Sequence, residues 1–207
     1  NNKTIDDNFQ YYISGLWADP SRAQQIVARL DTMKNATVDE MKSIQLDYTS
    51  LFAKEITPHL LSIKTGNETG KLKEAMDLLE KWDFVESSNS KAALIFHSVL
   101  RQVVISVFAD ELELLGDKYL DAFTSMKYLH NRSLRKILVD GNSSWIDDIR
   151  TRNKIESIEE ILKTSFSNGV KDIEKVVGHN INNWEWGRAH YLTHNHKLGS
   201  KKILDWI

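Results

Sequence analysis

Apolar residues recur along this chain at intervals of three and four, the spacing that lines one face of a helix. Ala23, Ile26, Val27 and Leu30 follow Asp19-Pro20, a helix entry with Asp19 as N-cap and Pro20 at the first helical position. Thr37-Val38-Asp39-Glu40 is a capping box, a hydroxyl followed three residues later by a carboxylate. It predicts a helix carrying Met41, Ile44, Tyr48, Leu51 and Phe52 on one stripe, ending at Ile56 or running on to a kink or break at Pro58. Thr65–Gly70 is turn-rich, and Lys71–Trp82 is a second short amphipathic helix with Leu72, Ala75, Met76 and Leu79 inward. Beyond the cap-rich Ser87–Ser90, Lys91–Leu115 is apolar almost all round, which predicts the central helix of a bundle. Gly116 ends it. Lys118–His130 and Ser133–Val139 read as further helices split near Asn131, and Trp145–Ile149 as a short irregular or helical piece after a turn at Asp140–Ser144. A second capping box, Ser157–Glu160, feeds a helix that passes Gly169 and reaches Val177. The expectation is an all-α fold, an irregular bundle of seven to nine helices around Lys91–Leu115.

Composition narrows the class without changing that picture. With 2 prolines and 9 glycines in 207 residues, long helices are favoured over many strands. A chain of this length can bury roughly 70% of its unfolded surface, so it can hold a core without cross-links. The absence of cysteine excludes disulfides and thiolate chemistry, and it fits a periplasmic or secreted bacterial protein. Lys and Arg (27) nearly balance Asp and Glu (29), with both signs spread along the chain, which argues against a nucleic-acid footprint. The longest apolar run, Ala92–Phe96, is too short to span a bilayer.

Candidate chemistry is sparse. Arg22 falls in the first turn of its helix, where the helix dipole disfavours a cation, so the helix supplies no reason for it; a nearby anion or a substrate group would. The plainer reading is a solvated Arg. His97, inside the apolar helix, reads as a hydrogen-bonded core histidine. Asp110-Glu111-Leu112-Glu113 reads as a solvated helix face and lacks the alternation around Gly that a calcium loop uses. Asn180–Gly199 changes character, with two Trp, three His and little periodicity. Three readings stand side by side: a metal trio of His190, His194 and His196; a surface aromatic patch for sugars or partners; and a packing cassette that returns the chain to a larger core.

Several stretches carry a resemblance. Paired Asn1-Asn2, the aromatic run and Asp19-Pro20-Ser21-Arg22 come first, then Ile44-Gln45-Leu46-Asp47 and Trp82-Asp83. Trp184, Trp186, Gly187, His190, His196 and Leu198 follow in that order. Over essentially the whole chain this order resembles the penicillin amidase (penicillin acylase) family of N-terminal-nucleophile hydrolases, in the helical part of the heavy chain. Lys197 departs from it, where the family usually has Pro. The resemblance implies a helical subdomain of a larger α+β hydrolase that cleaves the amide between an acyl side chain and an amine. In such enzymes the nucleophile is an N-terminal Ser whose own α-amine is the base. No such Ser opens this chain, so the chain alone is expected to be inactive.

By position Asn1 matches the family's oxyanion-hole Asn, with Asn2 as the alternative. Arg22 matches its active-site Arg, which orients the Ser network or meets a substrate carboxylate. No cofactor is required. Some members hold a structural Ca²⁺ through an Asp before the Trp, but here that neighbourhood is Gln10-Tyr11-Tyr12, without a carboxylate. The Gln45/Asp47 pair and Trp82-Asp83 are implied to be scaffold marks. The implied partners are a small N-acyl substrate and the rest of the precursor, with no nucleic acid and no membrane span. The organisation implied is an extended arm over 1–19, a helical domain over 20–182 and a return segment over 183–207. The rival reading is a non-catalytic helical binding module that uses the Trp184/Trp186 surface.

Overall fold

A computed structural model describes residues 5, 6, 8–14 and 17–194. Among the described residues it holds nine α-helices: α1 (Ser21–Asp31), α2 (Val38–Gln45), α3 (Leu51–Leu60), α4 (Gly70–Glu80), α5 (Lys91–Leu114), α6 (Asp117–Ser125), α7 (Lys127–Asp140), α8 (Ile158–Val177) and α9 (Trp186–Ala189). Short 3₁₀ turns lie at Leu61–Ile63, Ser144–Ile146 and Ile181–Asn183. The only strand-like pairing among these residues is one antiparallel bridge between Thr49 and Val85. The all-α expectation therefore holds.

Both capping boxes form. Thr37 Oγ1 accepts from Glu40 N (3.2 Å) while Glu40 Oε2 accepts from Thr37 N (2.7 Å), and Ser157 and Glu160 repeat the arrangement. Ser90 caps α5 by accepting from Ala93 N at 3.2 Å. At α1 the cap is displaced by one residue from the expected register. Pro20 is the flanking residue, and the Asp19 carboxylate accepts from Ser21 N at 2.9 Å.

Helix α5 is the axis. Ala93, Ile95, Phe96, Val99, Val103, Val104 and Val107 are buried along it, with α8 packed along its length and α4, α6 and α9 on other sides. At 24 residues it is long and apolar enough to cross a bilayer, but 67% of its most apolar stretch is buried by neighbouring helices. α8 comes close enough at Gly169 that a Cβ there would lie 3.0 Å from Val99 Cα, and the Gly169 carbonyl accepts from Ser98 Oγ at 2.9 Å.

Three boundaries differ from the sequence reading. The stripe from Met41 to Phe52 is not one helix. α2 stops at Gln45, Thr49 N donates to Asp47 Oδ1 (2.9 Å), and the bridge of Thr49 with Val85 is closed by Ser50 N donating to Phe84 O (2.9 Å) and Glu86 N to Tyr48 O (3.0 Å). α3 then continues through Pro58 to Leu60. The α6–α7 break is at Met126, whose ψ of 72° leaves the helical region, and not near Asn131, which is buried inside α7. That break lets Phe123 pack on Phe108 (ring centroids 4.8 Å) while Leu134, Ile137 and Leu138 face the core.

Candidate functional site

The site begins where residues 17–20 meet α1. Trp17, Ala18, Asp19 and Pro20 pack across α7 and line a cavity of about 320 Å³ with Tyr128, Arg132 and Arg135. Arg135 holds this corner. Its Nη1 lies 2.7 Å from Asp19 Oδ2, its Nε 2.9 Å from Glu55 Oε1, and its guanidinium 5.3 Å from the centre of the Phe52 ring. Burial raises the Asp19 carboxyl, but hydrogen bonds from Ser21 and the Arg135 charge outweigh it and hold the group below its ordinary value. Arg135 fixes the entry of α1 from two other helices. Sequence reasoning missed it because its partners are remote in the chain.

Arg22 lies one residue into α1, exposed, and makes no hydrogen bond or ion pair among the described residues. No acidic residue occupies that first turn. α1 as a whole has no buried residue; Val27 and Leu30 are 54% and 40% exposed. Asn1 and Asn2 lie outside the described residues, so their placement relative to Arg22 does too.

The other face of α1 is tied down through Asp47. Its Oδ2 accepts from Gln25 Nε2 (2.9 Å) and Arg29 Nη1 (3.0 Å). Hydrogen bonds from Thr49 and Gln25, with the Arg29 charge adding to them, bring the carboxyl down to about 2. Asp47 thus acts as scaffold, whereas Gln45 is exposed. Trp82 and Asp83 support the same corner. Trp82 Nε1 donates to Val85 O (3.2 Å), and Asp83 Oδ1 accepts from Val85 N (3.0 Å).

The Trp/His segment packs as a cassette. Trp184 is fully buried and donates from Nε1 to Gly178 O at 2.9 Å. Gly187 N donates to Ser88 O at 2.7 Å, an approach so close that a Cβ on Gly187 would sit 3.1 Å from Ser88 Cβ. Trp186 is sandwiched between His97 (4.4 Å, 17° between planes) and His190 (4.5 Å, 4°). His97 Nε2 is in turn 3.1 Å from Glu86 Oε1, so His97 is the hydrogen-bonded histidine expected. His190 therefore faces a ring. His196 lies outside the described residues, and among those described no group of three or more His, Cys, Asp or Glu could hold a metal.

One expectation about charge fails. Asp110 is not on a solvated face: it is buried at 2% exposure and accepts from Ile149 N at 2.8 Å, pinning the loop after α7. Glu111 Oε2 and Asp147 Oδ1 are buried without a hydrogen-bond partner among the described residues. Burial first, then the neighbouring carboxylates of Asp110 and Asp148, push Glu111 up to about 7. The folded state therefore binds this proton more tightly than the unfolded chain. Stability falls as pH rises from the ordinary value of 4.5 to about 7 and stays lowered above it. Glu111→Gln removes that loss. With the effect discounted to ~1 kcal/mol for solvent screening, its Tm should exceed the parent's by about 2–4 °C at pH 8, and the gap should close near pH 4. Melting curves across pH would expose an error if the gap were the same at both ends.

The family model for penicillin amidase matches residues 1–206. The chain is similar to the acyl-homoserine lactone acylase QuiP of Pseudomonas aeruginosa, 24% identical over 220 residues that cover 100% of this chain and 26% of the relative. The QuiP proteins of Pseudomonas fluorescens (23% identical, 92% of this chain and 25% of the relative) and Pseudomonas syringae pv. syringae (22%, 92% and 24%) are similar too. The chain thus spans about a quarter of the length of these relatives. A family match over nearly every residue, on an all-α bundle with the Trp184–His190 cassette packed into it, makes this chain a member of the penicillin amidase family.

Proposed function

We propose that this chain is the helical portion of a longer amide hydrolase that cleaves the bond between an acyl group and an amine. N-acyl homoserine lactones, β-lactams with an acylated amine and related N-acyl compounds are its substrate class. The nucleophile is the N-terminal Ser of the mature heavy chain, outside these residues. Its α-amine, with a pKa of roughly 7.7–8, is substantially unprotonated near neutral pH and serves as the base. Asn1 donates to the tetrahedral oxyanion, and Arg22 orients the Ser network or a substrate carboxylate. The enzyme works in the bacterial periplasm or outside the cell and needs no cofactor for the reaction.

The observation that carries this reading is the state of α1. An exposed Arg without a partner among the described residues sits on an amphipathic helix whose Val27 and Leu30 are also exposed, while Ala23 and Ile26 are half-buried. α2 is in the same condition, with Val38 72% and Met41 41% exposed and no buried residue. Such uncovered faces suit packing against the remaining polypeptide, with Arg22 turned towards the reacting centre.

The test uses the full-length protein. Intact mass and N-terminal sequencing should find two chains, the larger beginning with Ser and containing this sequence internally. With an N-acyl homoserine lactone as substrate, Arg22→Ala should lower kcat/KM by about 10–100-fold, the loss of a charge-assisted hydrogen bond. Its Tm should stay within about 2 °C of the parent's, since exposed substitutions cost within ~0.5 kcal/mol. A single uncleaved chain, or an Arg22→Ala enzyme as active as the parent, overturns the assignment.

A further inference from the structure

A second cavity, of about 350 Å³, opens between the C-terminal half of α5, α6, α7 and the Ser144–Ile146 turn. Its floor is aromatic. Phe108 is buried at 3% exposure, with Phe123 at 4.8 Å and Trp145 at 5.4 Å between ring centroids. Trp145 is nonetheless 39% exposed, so the cup has a buried base and one open aromatic wall. Large aromatic rings normally lose most of their surface to contact, and this wall has room for one more ring.

The rim carries charge of both signs. Lys136 and Asp140 stand one turn apart on α7 and both line the cavity. Neither forms an ion pair with the other or with any described residue. The order is part of the reason, since a basic residue N-terminal to an acidic one at this spacing is the weaker arrangement on a helix. Asp140 is also the last residue of α7, where the helix dipole disfavours an anion. A bound cation would relieve it. Asn142 adds an amide to the same rim.

We propose that this cavity binds a small aromatic zwitterion, an α-amino acid with an aryl side chain. The ring enters the Phe108/Phe123/Trp145 cup, the ammonium meets Asp140 and the open face of Trp145, and the carboxylate meets Lys136. An aromatic acid alone would face Asp140 without compensation, and an aromatic amine alone would face Lys136. The volume lies at the small end of ligand sites, which suits a molecule of about a dozen heavy atoms. The inference does not rest on the amide-hydrolase proposal.

Saturation-transfer NMR on the protein with L-phenylalanine tests it, with phenylacetate and phenethylamine as the singly charged probes. L-phenylalanine should bind with a Kd of order 1 mM, and each singly charged probe at least tenfold more weakly. Lys136→Ala and Asp140→Asn, both at exposed positions, should each weaken L-phenylalanine at least fivefold, and Trp145→Ala should abolish its signal. Unchanged far-ultraviolet dichroism of the two charge variants would show that the fold is kept. Three results each overturn the proposal: no transfer to L-phenylalanine at 10 times that concentration, equal binding of phenylacetate, or binding indifferent to all three substitutions.

Discussion

Valine at position 169 should cost this protein about 3–5 kcal/mol, enough to lower Tm by roughly 10 °C. Gly169 sits where α8 meets α5, and a Cβ placed there would lie 3.0 Å from Val99 Cα, Val99 N and Val99 Cγ2. Two of those three atoms are backbone, so no rotamer change can clear the space. The helices would have to separate along the contact that buries Phe166, Val170 and Ile173 of α8 against α5. They would also stretch the 2.9 Å bond from Ser98 Oγ to the Gly169 carbonyl. Alanine makes the sharper test, because two effects oppose each other. In a helix interior Ala is favoured over Gly by up to ~1 kcal/mol, whereas overpacking costs about 1–3 kcal/mol. The clash should win, giving a Gly169→Ala protein that is less stable than the parent. Thermal melts followed by circular dichroism decide it; a rise in Tm for the alanine variant would mean that α5 and α8 separate more easily than their packing implies.

Trp184→Ala should be comparably damaging, at about 3–5 kcal/mol. The indole is fully enclosed, and its Nε1 donates at 2.9 Å to the Gly178 carbonyl, just past the end of α8. Truncation leaves a cavity and strips the half-buried Gly178 carbonyl of its donor, a loss of about 0.5–1.5 kcal/mol by itself. Trp184→Phe separates the two contributions, because it keeps most of the ring and loses only the N–H. It should fall between the parent and the alanine variant. Hydrogen exchange should locate the change, with faster exchange in the last turn of α8 and in α9. A phenylalanine variant as stable as the parent would show that the hydrogen bond contributes nothing net.

The same segment shows how far linear reasoning reached. The clustering of Trp184, Trp186, Gly187 and His190 suggested a packing cassette among three readings, and the buried Trp184 and the ring stack on His97 show these residues packed against the bundle, while His196 lies outside the described residues. His97 itself was legible as a core histidine from the apolar helix around it. Its partner Glu86 was not, since it lies outside that helix. Asp110 was misread because an acidic run at a helix end is usually solvated. Only the return of the 147–149 loop, which donates Ile149 N, reveals that it is buried.

What the sequence by itself determined is the part encoded within a few residues: the helical class, the central place of α5, both capping boxes, and the stop at Gly116. These follow from periodicity and from hydrogen bonds that close over three or four positions, so neighbouring residue types suffice to specify them. Tertiary structure alone decided the rest. The break after Gln45 depends on Thr49 finding Val85, and the break at Met126 on Phe123 finding Phe108. The clamp at the head of α1 needs Arg135 to reach Asp19 and Glu55, and the rim of the aromatic cavity needs α7 laid beside the Ser144–Ile146 turn. Each of these joins residues far apart in the chain. Their free energy exists only once the chain has closed the loop between them, and local residue patterns carry no trace of that closure.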